Sequence, residues 1–261
     1  MSCVICGTVR NCAKYLKNVF INMKRIGSLF EKFHIVICYD NSHDNSLLLI
    51  NEFANNNPNV IVHINTEPLS KDRTANLSKA RNTYLDIIRE QFIDYDYFIV
   101  MDCDDVCASP IQLKTLKYHL SQTDRWDGLT FNKRSYYDIW ALSINPFYVN
   151  CHWFYNYNFY TKHITNLLKK CSSTNYVSCL SSFNGFAIYK TSYFINGKYT
   201  DKTIDNLKYI PKNKIRYNLK LMDNKLKPKL IIVDCEHKVF HYDAVLKNKA
   251  RLKITPNILF Y

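Results

Sequence analysis

Residues 97–105 read Tyr97-Phe98-Ile99-Val100-Met101-Asp102-Cys103-Asp104-Asp105: five apolar residues in a row, then three carboxylates within four positions. An unbroken apolar run of this length predicts a strand buried on both faces, as in a parallel sheet covered by helices. Where such a strand breaks into a turn, carboxylates two residues apart can face one cation. All-oxygen ligation of that kind suits Mg2+ or Mn2+. Asp-x-Asp by itself is a common acidic turn; its place directly after a buried strand gives it weight.

Upstream, the same grammar repeats. Apolar runs predict strands over 3–6 (CVIC), 33–39 (FHIVICY) and 59–64 (NVIVHI). Between them lie helical spacings. One runs from Asn11 to Phe30 and carries Leu16, Val19, Phe20, Met23, Ile26, Leu29 and Phe30. A second covers about 47–55. A third, about 74–91, carries Leu77, Ala80, Tyr84, Leu85 and Ile88. Strands alternating with amphipathic helices predict an α/β, Rossmann-like, mainly parallel sheet with helices on both faces. In such folds ligands sit outside the carboxyl ends of the strands. The three polar strand exits, Gly7–Asn11, Asp40–Ser46 and Asp102–Asp105, are therefore expected to open onto one edge.

Beyond Pro110 the pattern changes. Eleven aromatics fall between Tyr136 and Tyr160, among them Tyr137, Trp140, Phe147, Trp153, Phe154 and Tyr155; core packing is the expected role of most. A strand is expected over 183–189, loops and a short helix over the lysine-rich 196–229, a strand over 230–234 and a helix over about 238–249. No composition break marks a linker. The reading is a single domain, 1–261, with a nucleotide-binding half (1–109) and an acceptor and sugar half (110–261).

The 261 residues are 47% hydrophobic, enough for a sizeable core and against a disordered chain. No apolar run reaches the ~18 residues of a membrane span. The start lacks a basic leader and a small-residue cleavage site, so a cytoplasmic setting is expected, with the ten cysteines as free thiols. Cys3 and Cys6 lack a second pair, and in a strand they face opposite sides, which excludes a shared zinc. The net charge is +13, with 16 Lys and Arg against six Asp and Glu between Lys190 and Lys253. Such a field attracts nucleotide diphosphates, anionic lipid surfaces or nucleic acid. Peripheral contact with an anionic membrane is expected. A nucleic-acid-binding module, the rival from another class, leaves the acidic strand exit unexplained, so no nucleic acid partner is expected.

Several pieces occur in a characteristic order: Cys6-Gly7-Thr8-Val9-Arg10-Asn11, Asp40-Asn41-Ser42-His43-Asp44-Asn45-Ser46, Arg73 with Ala80-Arg81-Asn82, and Met101-Asp102-Cys103-Asp104-Asp105. Then come Tyr137-Asp138-Ile139-Trp140-Ala141-Leu142, Phe183-Asn184-Gly185-Phe186-Ala187 and Cys235-Glu236-His237. On these residues the chain resembles GT-A glycosyltransferases, specifically the fungal capsule mannosyltransferase type and its viral and cytosolic relatives. The resemblance implies metal-dependent transfer of a hexose or deoxyhexose from a UDP- or GDP-sugar to a glycan or glycoconjugate acceptor, with Mn2+ or Mg2+. A sugar nucleotidyltransferase would share the architecture but carry a glycine-rich, lysine-containing signature near the first strand. Gly7 alone does not supply it.

The resemblance also implies roles. Asp40 would take a base or ribose group. Arg10, Arg73 and Arg81 would hold the diphosphate, since guanidinium matches phosphate oxygens in pairs. Asp104 would bind the metal, with Asp102 on the ribose or the metal. Asn184 and Gly185 would let backbone approach the donor sugar, and Tyr136, Asp138 and Trp140 would line its site. Glu236 stands where such enzymes carry a catalytic carboxylate. His237 replaces a usual aspartate and is a second candidate for base or for metal ligand, with His241 one turn on. Alternation past a strand sends Glu236 and His237 to opposite faces, so at most one is expected in the site.

Overall fold

The computed structural model describes residues 1–148, 157–221 and 233–261. The apolar runs become strands β1 (Ser2–Val9), β2 (Lys32–Tyr39), β3 (Val60–Ile64) and β4 (Tyr97–Met101). The later strands are β5 (Gly128–Asn132), β6 (Val177–Ser178), β7 (Phe186–Lys190) and β8 (Leu252–Ile258). All eight form one sheet in the order β3-β2-β1-β4-β7-β5-β8-β6. β1 to β4 run parallel. β7 is inserted antiparallel to both β4 and β5, and β5 and β8 are parallel again.

Side-chain alternation divides each central strand between two cores. Cys3, Ile5, Ile35, Ile37 and Ile99 face one core together with Leu16, Val19, Phe20, Met23 and Ile26 of helix α1 (Ala13–Gly27). Val4, Cys6, Val36, Cys38, Phe98 and Val100 face the other. Helix α2 spans Ser46–Asn55. Helix α3 (Arg73–Gln91) covers the second face with Ala80, Tyr84, Leu85 and Ile88. Both faces are thus closed, the condition for parallel strands without a polar side. Among the described residues no helix is long and apolar enough to cross a membrane, and the nine described cysteines are all free thiols.

The second half departs from expectation in instructive ways. β5 and β8 were not foreseen: β5 opens on a glycine, and β8 contains Lys253 and Pro256. The strand expected over 183–189 starts only at Phe186, because Asn184 (φ 58°) and Gly185 (φ 89°) adopt left-handed conformations that break extension. Of the strand expected over 230–234, residues 230–232 lie outside the described residues, and Val233 makes an isolated bridge to Lys202. Trp153, Phe154 and Tyr155 also lie outside them. The last helix runs only His237–Tyr242 before passing into a π-helical segment, Asp243–Lys247.

Candidate active site

The exits of β1, β2 and β4 meet at one cleft of about 400 Å3, lined by Arg10, Asp40, Arg73, Asp102 and Asp104 among others. This volume is within the usual range for ligand pockets. Two loops are tied together to form its rim. Asn11, in a left-handed conformation, donates its N–H to Ser42 Oγ (2.9 Å) and accepts from the His43 N–H at Oδ1 (2.8 Å). Beside them the Cys12 N–H donates to Ser46 Oγ (2.9 Å), and the Ala13 N–H to Asp44 (2.9 Å). Asp40, 9% exposed, accepts from Asn65 Nδ2 at 2.9 Å, which fixes one of its oxygens at the end of β2.

Asp102 and Asp104 leave β4 on a different footing. The Asp102 N–H donates to the Gly185 carbonyl (2.9 Å). Its carboxylate accepts from Tyr137 Oη (3.2 Å) and Arg81 Nη2 (3.4 Å). Asp104 caps the turn Asp105–Cys107, accepting from the Val106 N–H at 3.1 Å. Burial, then the neighbouring Asp104 charge, pushes the Asp102 pKa up to about 7, although Arg81 opposes the shift. Burial also raises Asp104, with Lys133 and Arg73 opposing. Two carboxylates whose charges are desolvated and mutually repelling make a site that a cation would relieve.

Among the described residues no group of three His, Cys, Asp or Glu converges as a complete metal cage. A pair of carboxylates nevertheless fits Mg2+ or Mn2+ held jointly with diphosphate oxygens, the usual manner for such ions. His237, expected from sequence as base or metal ligand, does not converge with this pair in the structure. Its Nε2 meets Arg81 Nη1, its ring stacks on Phe183 at 3.9 Å, and it is 1% exposed. Burial, then Arg81 and His241, holds its pKa well below that of ordinary histidine. His241 is equally enclosed, between Ser181 Oγ (2.9 Å) and Tyr189 Oη (2.8 Å).

Arg81 also departs from expectation. It is 3% exposed, and its guanidinium is taken by Glu236 and Asp102 rather than presented to the cleft. It packs over the Phe183 ring at 4.9 Å. Both Glu236 and His237 touch Arg81 Nη1. The alternation argument fails here because Glu236 already has helical backbone (φ −63°, ψ −23°) at the start of its helix. On a helix, successive side chains are not sent to opposite faces.

The sugar-site residues fall behind the carboxylates. Tyr136 is fully buried, its hydroxyl 2.7 Å from Ser182 Oγ, which makes it a core residue and not a cleft wall. Asn184, 1% exposed, takes the N–H groups of Tyr137 (3.2 Å) and Asp138 (3.3 Å) and donates to the Phe131 carbonyl (3.0 Å). Asp138 returns the tie, accepting from the Asn184 N–H (3.3 Å) and the Ala141 N–H (3.2 Å). Trp140 packs partly buried against the second core. A Cβ on Gly185 would strike Val106 Cγ1 and stand 2.9 Å from Tyr137 Oη. The glycine is therefore required for the close approach of protein to protein behind Asp102. Tyr137, Asn65 and Lys133, each bonded near the cleft carboxylates, had no role assigned from sequence. Lys133 follows β5, a strand that its opening glycine hid from the sequence pattern, so nothing pointed it at the cleft.

A family model described as glycosyl transferase family 2 matches residues 4–190. No curated protein matches the chain. Among solved structures it resembles Staphylococcus aureus TarS 1-349 in complex with UDP-GlcNAc (14% identity, TM-score 0.51), covering 100% of this chain and 58% of that one. It also resembles TarS 1-349 alone (17% identity, TM-score 0.48, coverage 100% and 60%). A third is the mannosyltransferase PcManGT of Pyrobaculum calidifontis in complex with GDP-Man and Mn2+ (12% identity, TM-score 0.45, coverage 94% and 69%). The chain thus spans about three fifths of the length of the TarS 1-349 chains.

Proposed function

Given that the chain belongs to glycosyl transferase family 2 and has the GT-A fold, we propose that it moves a hexose or deoxyhexose from a UDP- or GDP-sugar to a glycan or glycoconjugate acceptor, using Mn2+ or Mg2+. The observation that carries this reading is the convergence of Arg10, Asp40, Arg73, Asp102 and Asp104 on one cleft at the carboxyl ends of β1, β2 and β4. Acids at a phosphate-binding edge repel the ligand unless a cation intervenes.

In this reading Asp40, steadied by Asn65, takes the base or ribose, and Arg10 and Arg73 take the diphosphate. A divalent ion held by Asp102, Asp104 and the diphosphate would supply positive charge against the departing phosphate. The acceptor oxygen bonds to the anomeric carbon while the bond from that carbon to the diphosphate oxygen breaks. The nucleoside diphosphate leaves with the electron pair. The acceptor's proton passes to Glu236, which Arg81 orients and joins to Asp102. The basic stretch between Lys190 and Lys253 suits an anionic acceptor or membrane surface.

Thermal stabilisation by UDP, GDP and CMP, each with and without Mn2+, tests the reading. Stabilisation by UDP or GDP that grows on adding Mn2+ is expected. Equal melting temperatures in all arms would overturn the assignment of the cleft to a nucleotide.

A further inference from the structure

Lys133 follows the last residue of β5 and reaches both cleft carboxylates through one intermediary each. Its Nζ donates to the Val106 carbonyl, and the N–H of the same Val106 donates to Asp104 Oδ1 (3.1 Å). It also lies 5.8 Å from the centre of the Tyr137 ring, whose hydroxyl donates to Asp102 Oδ2 (3.2 Å). The centre of the Phe260 ring also stands 5.7 Å away. The residue is half-buried beside these two rings, so its charge is poorly screened by water. The acids that act on it are Asp102, Asp104 and Asp105.

The carboxylates around the pair outnumber the cations, since Asp105 acts on Asp104, Asp138 acts on Asp102, and Arg81 is shared with Glu236. Asp102 and Asp104 are opposed by Arg81 from α3, by Arg73 at its first turn and by Lys133 from behind. A divalent cation approaching this pair alone is drawn by the carboxylates but repelled by these three cations. A diphosphate arriving with the cation offsets that repulsion, because its oxygens bring further negative charge. Lys133 is not among the cleft-lining residues; it meets the carboxylates through Val106 and Tyr137.

Resting on the metal-dependent reading above, we propose that Lys133 is a positioning residue that makes cation binding conditional on the diphosphate. Its fixed charge behind Asp102 and Asp104 keeps a free divalent ion weakly held, so that ion and nucleotide enter as a mutually strengthening pair. By linkage the strengthening is reciprocal: each ligand raises the affinity of the other by one factor. A residue that only propped up the Asp104 turn would have the opposite signature, since its loss would loosen the carboxylates and weaken the cation.

Mn2+ binding, followed by electron paramagnetic resonance of the free ion, separates these cases. It is measured for the wild type, Lys133→Met, Lys133→Arg and Asp104→Asn, each with and without UDP or GDP. Lys133→Met is expected to bind Mn2+ alone about tenfold more tightly, the order expected for losing one poorly screened like charge, with a correspondingly smaller gain on adding nucleotide. Lys133→Arg is expected to behave as the wild type. Mn2+ affinity in Lys133→Met that is unchanged or weaker overturns the proposal, as does a loss of metal-free nucleotide affinity, which would make Lys133 a phosphate ligand. The Asp104→Asn arm tests the underlying reading separately: if nucleotide-dependent Mn2+ binding survives there, the ion is held elsewhere. Circular dichroism and melting of each variant confirm that the comparison is between folded proteins.

Discussion

Nη1 of Arg81, on α3, donates to Oε1 of Glu236, 155 residues later in the chain. Both side chains are almost wholly enclosed, at 4% and 5% exposure. The pair therefore fastens the amino end of the His237–Tyr242 helix to the helix that borders the cleft. Removing one partner strands a buried charge, which typically costs ~3–5 kcal/mol, whereas replacing both with apolar groups costs far less. Arg81→Met is expected to lose stability on that scale in urea unfolding, and Arg81→Met with Glu236→Leu to recover a substantial part of it. A single variant within ~0.5 kcal/mol of wild type would show that the pair carries no such role.

Glu236→Gln keeps the shape of the side chain and removes the basic oxygen. Turnover is expected to fall by ~100-fold or more, the scale of a lost general base, while nucleotide affinity measured by calorimetry changes less than about twofold. His237→Ala, by contrast, is expected to impair the Phe183 stack and the contact with Arg81 without abolishing metal binding. Near wild-type turnover in Glu236→Gln would move the base to another group.

Asp40 lines the cleft with one oxygen already fixed by Asn65. Asp40→Ala is expected to weaken nucleotide binding by ~1–3 kcal/mol, the cost of losing a hydrogen bond to a charged group. Unchanged affinity in titration calorimetry would put the base of the nucleotide at another strand exit.

Two enclosed imidazoles make the fold sensitive to acid. Burial, then Arg81, brings the His241 pKa down to about 3; burial, then Arg125, brings His119 down to about 4. Unfolded histidine titrates near ~6.5. Between that value and the folded ones the unfolded chain binds more protons, so stability falls as pH drops below about 6.5. Each imidazole is expected to remove ~2 kcal/mol by pH 5. Unfolding free energies measured from pH 7.5 to 5 should show this slope, and His241→Gln should flatten it by about one proton. A slope equal in wild type and variant would mean that His241 titrates in the native state as it does in the unfolded chain.

The carboxyl ends of β1, β2 and β4 were legible because one rule decided them. Apolar strands ended abruptly in Arg10, Asp40 and Asp102, and a parallel sheet brings such ends to one edge. Rules of local backbone failed where the backbone changed type within a residue or two. Glu236 and His237 were read with strand alternation, but they sit on a helix start. Asn184 and Gly185 were read inside a strand, but their left-handed conformations precede it. Tyr136 and Arg81 illustrate a different limit. Sequence named residues able to bind a sugar or a phosphate, but only packing reveals that one lies in the core and the other is already paired. Lys133 was invisible because its significance depends on β5 lying two strands from β4.

The antiparallel β7 has a consequence for how the chain is made. Residues 1–104 hold the three strand exits that form the cleft, yet β4 keeps a bare hydrogen-bonding edge until residues 186–190 have been synthesised. At the usual elongation rates of ~5–20 residues per second, that interval lasts several seconds or more. Over that time an apolar strand waits with one side open, the state most prone to pairing with another chain. The carbonyl of Gly185 that receives the Asp102 N–H arrives with the same segment. A polypeptide stopped between these two points would own most of the cleft's side chains but lack the strand that shields them. Expression of a truncated amino-terminal half is therefore expected to yield aggregates, not a smaller nucleotide-binding protein.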